Sequence, residues 1–355
     1  MNLPVVPPVP PMLARLARKL PVDGFLYEPK WDGFRCLAFR AGEDVDLRSR
    51  NDRPLARYFP ELVSAFRALP TGRFVLDGEI VVVGSEGGSD FDALLARLHP
   101  AASRVERLSA ETPASFVAFD LLAMGDADLR ATPFAERRAR LAETLRPAEP
   151  PIFLTPLTDD AEVAERWLRR FRGRGIDGVV AKQADLGYEP ARRAMVKVKR
   201  EETADVVVAG FRWLVDRPLP SSLLLGLYDR DGELHHVGIA AGFAETRRRQ
   251  LLADVAPLVA PLEGHPWERG FLVTGSRMGR LKGAAGRWTP DEMPQDWVPV
   301  TPSLVCEVAY DQVDVDRFRH PARFRRWRPD RDPRSCTLDQ LAAPAGGLAE
   351  LLQPA

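Results

Sequence analysis

Long apolar runs are missing from these 355 residues, and no stretch is long enough to span a bilayer. The N-terminus, Met1-Asn2-Leu3-Pro4-Val5-Val6-Pro7-Pro8, lacks the basic start and apolar core of a signal peptide. Cysteine is scarce. Cys36, Cys306 and Cys336 have no paired spacing, which argues against a disulfide framework or a structural zinc site and fits a reducing cytoplasm. Net charge is also absent: 50 basic residues balance 50 acidic ones, so this chain does not coat nucleic acid by bulk charge. There is no internal repeat and no P-loop. The basic loop from Gly275 to Gly283 lacks the Gly-Lys-Ser/Thr ending, and reads either as a DNA contact or as plain surface. What remains, 45% hydrophobic and 28% charged residues, is ordinary globular composition at a length that suits two domains.

Charge is distributed unevenly. Basic clusters fall at Arg166, Arg169, Arg170, Arg172 and Arg174; at Arg192, Arg193, Lys197, Lys199 and Arg200; and at Arg247 to Arg249. A further run, Arg317 to Arg331, also carries Phe318, Phe324 and Trp327 and reads as a phosphate-facing surface. Residues 1–21 are proline-rich and read as extended, wrapping or frayed. Helical spacing covers Pro54 to Leu69, Asp90 to Leu98, and a segment capped by Thr158 or Asp159 that runs to about Arg172. Strands are expected at Phe74 to Val83, Ser115 to Leu122 and Ile176 to Lys182. Beyond a boundary near Arg200 to Thr203 the pattern changes. Asp205 to Phe211, Ser222 to Tyr228, Leu234 to Ile239, Gly270 to Thr274 and Leu304 to Tyr310 read as five short strands, with one helix over Glu245 to Leu258. Five strands with an inserted helix suggest an OB-type barrel. The domains are therefore expected at 1–202 and 203–355, and the Ala-, Gly- and Pro-rich tail from Leu341 reads as peripheral.

Chemistry concentrates in Glu28-Pro29-Lys30-Trp31-Asp32-Gly33-Phe34-Arg35, where one lysine precedes Asp-Gly directly after an apolar run. A lysine amine attacks phosphorus or carbonyl carbon only when neutral, so this segment matters if nearby cations disfavour protonation. Alone, it is equally a solvated lysine before a turn. It is followed by Asp77-Gly78-Glu79, Phe119-Asp120-Leu121, Asp177-Gly178-Val179-Val180-Ala181-Lys182, Lys197-Val198-Lys199 and Arg328-Pro329-Asp330-Arg331.

This order and spacing resemble the covalent nucleotidyltransferase superfamily of DNA ligases, RNA ligases and capping enzymes, and within it the bacterial ATP-dependent ligases of the C and D kinds. The likeness runs from about Pro10 to Pro333. It implies an α+β chain: a nucleotidyltransferase (ATP-grasp-like) catalytic domain of antiparallel sheets with flanking helices, then a C-terminal OB-fold β-barrel. By the same resemblance Lys30 is the nucleophile. Lys197 and Lys199, on one strand face by alternation, grip the α-phosphate and favour the neutral form of Lys30; without the resemblance they read as well as a charge pair on an edge strand. Glu79 and Asp177 sit in apolar strands, where a carboxylate must be paired or ligate something. The resemblance gives Glu79 to the AMP ribose or a metal and Asp177 to the metal, Mg²⁺ or Mn²⁺. Relatives mostly carry glutamate where Asp177 stands. Asp77 reads as a turn or structural carboxylate.

Phe119 matches the aromatic that stacks on adenine, though it reads also as a core phenylalanine. Glu28 resembles the position near the adenine amino group. Arg35 and Arg50 match positions that contact ribose, nick 5′-phosphate or pyrophosphate, and Lys182 the lysine near the nucleotide phosphates. Arg328 and Arg331 belong to a last motif that orients pyrophosphate and then swings away about a hinge near Lys199 to Thr203; relatives usually end that motif in lysine.

The implied activity is ATP-dependent sealing of nicked duplex DNA in repair through a Lys30-AMP intermediate. The cofactors are ATP and a divalent cation, and a cytoplasmic, nucleoid-associated monomer is expected, with no membrane partner. Polymerase or nuclease activities would come from separate repair proteins. The alternatives are an RNA ligase or capping guanylyltransferase, a non-catalytic nucleic-acid-binding module, and a nucleotide-binding regulator without transfer chemistry.

Overall fold

A computed structural model describes the chain apart from residues 85–86, 99–100, 172–174, 200, 269–296, 312, 315, 342–347 and 353–355. The strand expected at Gly270 to Thr274, the loop Gly275 to Gly283, and Arg172, Arg174 and Arg200 lie outside the described residues. The chain divides into two compact units, Met1–Arg200 with Ala343–Ala355, and Glu201–Ala342.

The elements of the first unit, in order, are β1 (Ala14–Ala17), β2 (Phe25–Trp31), β3 (Phe34–Ala41), β4 (Asp44–Ser49), α1 (Pro60–Ala68), β5 (Arg73–Val82), α2 (Phe91–Ala96), α3 (Ala102–Glu111), β6 (Ala114–Met124), β7 (Ala127–Asp128), α4 (Phe134–Leu145), β8 (Ile152–Leu154), α5 (Ala161–Arg170), β9 (Ile176–Gln183) and β10 (Met195–Val198). They build two sheets. One has the order β1-β10-β9-β2, antiparallel except for the β1–β10 pair. The other has the order β4-β3-β5-β6-β7, with β8 parallel to β6.

Strand alternation assigns each sheet two roles. In the first sheet Tyr27, Val179, Ala181, Val196 and Val198 turn to one side, where Ala164 and Leu168 of α5 complete a buried cluster. Asp160 caps α5 by accepting from the Glu162 and Val163 amides, one or two residues later than the sequence suggested. In the second sheet Cys36, Ala38, Phe74 and Leu76 pack against Leu62 and Phe66 of α1 and Leu141 and Leu145 of α4. On its other face Leu37, Phe39 and Val75 are covered by Leu3, Val5, Val9 and Met12. The proline-rich N-terminus is thus a strap that buries Leu3, Val5, Val9 and Met12. Helix α1 starts at Pro60, six residues after the expected start, because a 3₁₀ turn at Ala56–Tyr58 precedes it.

The tail departs from expectation. Leu348 and Leu351 are buried with Trp31, Val81, Val117, Phe171 and Ile176 of the first unit, and the Leu348 amide donates to the Gly87 carbonyl at 2.7 Å.

The second unit contains β11 (Glu202–Trp213), β12 (Pro220–Tyr228), β13 (Leu234–Ala240), α6 (Glu245–Val255), β14 (Trp297–Tyr310), β15 (Val313–Asp314), β16 (Arg317–Phe318) and β17 (Arg323–Trp327). Five of these strands form an antiparallel sheet in the order β13-β12-β11-β14-β17. Its two edges meet. The Ala322 amide donates to Ile239 at 2.8 Å, the Ala241 amide donates back to Ala322 at 3.2 Å, and Ala240 and Ala322 form a parallel bridge. Closure of five strands in this way is the OB barrel. Val206, Val208, Phe211, Leu223, Leu225, Val237, Val305 and Val308 fill it, with Leu251 and Val255 of α6.

Candidate active site

The remaining face of the β1-β10-β9-β2 sheet is not apolar. Register places Ala14 beside Met195, Leu16 beside Lys197, Lys197 beside Val180 and Val180 beside Glu28, and alternation adds Lys182 and Lys30 to the same side. Opposite stand Arg35, Glu79 and Phe119 from β3, β5 and β6. All of these residues, with Arg50 and Trp31, line one cavity of about 350 Å³ within the first unit. Two sheets and their adjoining loops thus hold an apolar rim, an aromatic wall and six cations, Arg193 being the sixth, around a cleft.

Two glycines let the backbone come close here. A β-carbon on Gly33 would lie 2.1 Å from the Ile80 carbonyl oxygen, and one on Gly178, which has φ +140°, would lie 2.3 Å from that of Val198. The first keeps β3 against β5 just beyond Lys30. The second brings Asp177 to the strand that carries Lys197.

Asp177 organises one end of the cleft. Its Oδ2 accepts from Lys30 Nζ at 2.8 Å and pairs with Lys199 Nζ at 2.5 Å. Burial alone would lower the pKa of Lys30, but Asp177, Glu79 and Asp32 outweigh it and hold the ammonium above its ordinary range. It is Lys197 whose pKa falls, through burial and then through repulsion by Lys199 and Lys30. Glu79 is pushed up to about 7 by burial, against the pull of Lys30 and Arg35.

The other end is built around Glu28. Its Oε2 lies 2.7 Å from Lys182 Nζ, while Oε1, 3.7 Å from Arg138 Nε, accepts no hydrogen bond among the described residues. Burial raises the Glu28 pKa against the pull of Lys182 and Arg138. Lys182 also donates to the Phe119 carbonyl at 3.0 Å and lies 4.8 Å above the Phe119 ring. Lys182 is therefore engaged with Glu28 and the aromatic wall, not held beside Lys30. The Arg35 guanidinium is likewise 4.8 Å from the Phe119 ring centroid. Its Nε and Nη2 both donate to the fully buried Asp77 at 2.6 Å, and Tyr188 Oη donates to the same carboxylate at 2.7 Å. Asp77 carried a signal in sequence, a carboxylate inside an apolar strand. Tyr188, in the loop between β9 and β10, carried none. Nor did Thr155, whose hydroxyl accepts from Trp31 Nε1 at 2.9 Å.

Arg328 and Arg331 belong to the second unit, where carboxylates of that unit engage them. Arg328 Nη1 bonds both oxygens of Asp205 at 2.9 Å, its Nε and Nη2 hold Asp330, and Arg331 Nε lies 3.3 Å from Asp205. The preceding arginines are paired too: Arg323 with Glu201 and Asp311, Arg325 with Glu201, and Arg326 with Glu307. Arg323, Arg325, Arg326, Arg328 and Arg331 of the basic run thus each stand beside a carboxylate of the second unit.

Among the described residues no group of three or more His, Cys, Asp or Glu side chains could hold a metal by itself. Glu79 and Asp177 offer two carboxylates near the same amine, a donor set that fits Mg²⁺ or Mn²⁺ bound through few carboxylates plus substrate phosphates.

A family model described as "ATP dependent DNA ligase domain" matches residues 11–199, and one described as "ATP dependent DNA ligase C terminal region" matches 216–331. The chain is 49% identical over 349 residues to DNA ligase C of Mycobacterium tuberculosis, covering 97% of this chain and 96% of that one. It is 49% identical over 346 residues to DNA ligase C2 of Mycolicibacterium smegmatis, with 97% of each covered. A solved Lig E DNA ligase shares its fold at 17% identity, with a TM-score of 0.52 over 89% of this chain and 99% of that one. With both units matched by ligase models and nearly the whole length shared with such relatives, the chain belongs to the ATP-dependent DNA ligases, enzymes that join DNA strands using ATP.

Proposed function

We propose that Lys30 is the nucleophile of this ligase and that nick sealing proceeds through a Lys30-AMP adduct in the cleft. The observation that carries this reading is the arrangement around its amine. Lys30 Nζ and Lys199 Nζ share Asp177 Oδ2, Lys197 stands on the adjacent strand, and an aromatic wall with a buried acceptor occupies the same cavity.

ATP lies with its base against Phe119 and its 6-amino group donating to Glu28 Oε1, the buried acceptor that lacks a donor. The triphosphate then points toward Lys197 and Lys199. The Lys30 ammonium must lose a proton before attack, and Asp177 Oδ2 is within hydrogen-bond reach of it. The amine forms a nitrogen–phosphorus bond to the α-phosphate, and the bond to pyrophosphate breaks. Lys197 and Lys199 stabilise the charge that develops on the α-phosphoryl oxygens. The 5′-phosphate of the nick next displaces Lys30 from AMP. Finally the 3′-hydroxyl attacks that phosphate and AMP leaves, sealing the strand. Glu79 and Asp177 would hold Mg²⁺ or Mn²⁺, which would supply counter-charge for the phosphates. Arg35 and Arg50 face the phosphate or ribose, and Arg328 and Arg331 orient pyrophosphate once released from Asp205. The biological setting is DNA strand repair, with gap-filling or end-trimming enzymes as separate proteins.

A step-resolved assay tests this. Lys30→Ala is expected to leave a nicked duplex open in the presence of ATP, yet to seal a nick already carrying 5′-AMP without ATP. Sealing of an ordinary nick by the variant would remove Lys30 from the nucleophile's role.

A further inference from the structure

Arg35 stands directly opposite Glu79 on neighbouring strands, with Asp77 two residues earlier on the strand that carries Glu79. Cross-strand partners at this spacing are within reach of one another. The guanidinium therefore has two carboxylates to choose from, and it takes Asp77 with two bonds of 2.6 Å. The geometry of Arg35 alone does not explain the choice.

Tyr188 supplies a reason. Its hydroxyl donates to Asp77 Oδ2 at 2.7 Å and accepts from the Met12 amide at 3.0 Å. The Met12 carbonyl in turn receives Arg35 Nη2 at 3.2 Å. The ring is itself fixed: the Tyr188 amide donates to the Arg130 carbonyl at 2.7 Å, and the side chain is buried beside Arg137. Asp77 is fully buried and collects three donors, so removing one leaves a desolvated acceptor underused.

We propose that Tyr188 is a positioning residue for nucleotidyl transfer: by bonding Asp77 it anchors Arg35 there and keeps Glu79 free for the nucleotide ribose or its divalent cation. The N-terminal strap takes part through Met12, so the network joins the strap, the β9–β10 loop and the cleft wall. Without the Tyr188 hydroxyl, Arg35 shifts toward Glu79 and competes with the cation. This rests on the reading of Glu79 given above.

The test uses the full chain with Tyr188→Phe, Asp77→Asn, their double variant and Glu79→Gln. Mn²⁺ affinity is measured by calorimetry with α,β-methylene-ATP present, and single-turnover adenylylation is followed across a Mg²⁺ titration. Tyr188→Phe is expected to weaken Mn²⁺ binding and raise the Mg²⁺ needed for half-maximal rate, each roughly tenfold, while the rate at saturating metal stays near that of wild type. Asp77→Asn is expected to shift metal dependence in the same direction, and the double variant to be no worse than Asp77→Asn alone. Unchanged metal dependence in Tyr188→Phe overturns the proposal. So does a rate loss that extra metal does not recover, or additivity in the double variant. If Tyr188→Phe does not fold, the Asp77→Asn metal shift decides. Glu79→Gln separates the two layers: if it leaves metal binding and adenylylation intact, the Glu79 reading fails; if it abolishes them while Tyr188→Phe has no effect, only the role of Tyr188 fails.

Discussion

Lys30 and Lys199 converge on one oxygen of Asp177, and that shared contact sets the resting charge of the site. Lys30, the proposed nucleophile, is held as an ammonium, because Asp177, Glu79 and Asp32 favour the proton more than burial disfavours it. In the proposed reaction, attack requires that Asp177 take the proton from Lys30. In the proposed reading, selectivity for the base resides at the other end, in the Glu28 carboxylate. Adenine offers an amino donor where guanine offers a carbonyl, and a buried acceptor without a donor favours the first. Glu28→Gln is expected to raise the ATP concentration needed for half-maximal adenylylation by roughly 10–100-fold, the worth of a hydrogen bond to a charged group, and to narrow the preference over GTP. Parallel ATP and GTP titrations check this; an unchanged ratio would mean that Glu28 does not read the base.

At the scale of elements, the barrel strand β13 buries a titratable group. His236 is held down to about 3 by burial and then by Arg212 and Arg317. A histidine with a depressed pKa in the folded state contributes stability fully above its unfolded value, near 6.5, and loses it as pH falls toward 3. The second unit should therefore weaken by ~2 kcal/mol between pH 7 and pH 5. Urea unfolding of wild type and of His236→Gln at both pH values checks this: the variant is expected to show the smaller change.

Most strands were legible in sequence because each contains a largely apolar run. Hence β5, β6, β9, β11, β12 and β13 fall close to their expected places. What composition hides is pairing. The Arg317 to Arg331 run reads as free positive charge, yet Glu201, Asp205, Glu307 and Asp311, which pair with it, are supplied by other segments of the chain. Tyr188 is silent for the same reason: its partners Asp77 and Met12 are 111 and 176 residues away. Wrapping was among the readings of the proline-rich N-terminus, but the buried tail was missed because proline and alanine content reports loop propensity, not whether an apolar side chain finds a cavity.

At the scale of the whole molecule, the chain builds its nucleotide-binding unit from both ends. The segment before the barrel supplies the cleft, and Leu348, Leu351 and Leu352 return to the same unit after the barrel is complete. Leu348 and Leu351 pack beside Trp31, which follows Lys30, and Ile176, which precedes Asp177. Leu348→Ala is expected to cost about 2–5 kcal/mol of stability in the first unit and to leave the barrel's unfolding unchanged. Hydrogen exchange resolved by segment checks this, with protection lost around Trp31 and Ile176 and retained in β11 and β12. Equal loss in both units would mean that the tail does not belong to the first one.

The central claim concerns a covalent bond, and trapping it is the most direct test. The protein is incubated with α-labelled ATP and Mg²⁺, denatured and mapped by mass spectrometry. The account predicts AMP on Lys30 through an acid-labile, base-stable phosphoramidate that disappears when nicked duplex DNA is added before denaturation. Label on another residue, or nick sealing by folded, nucleotide-free protein with no protein-bound AMP at any stage, would contradict it.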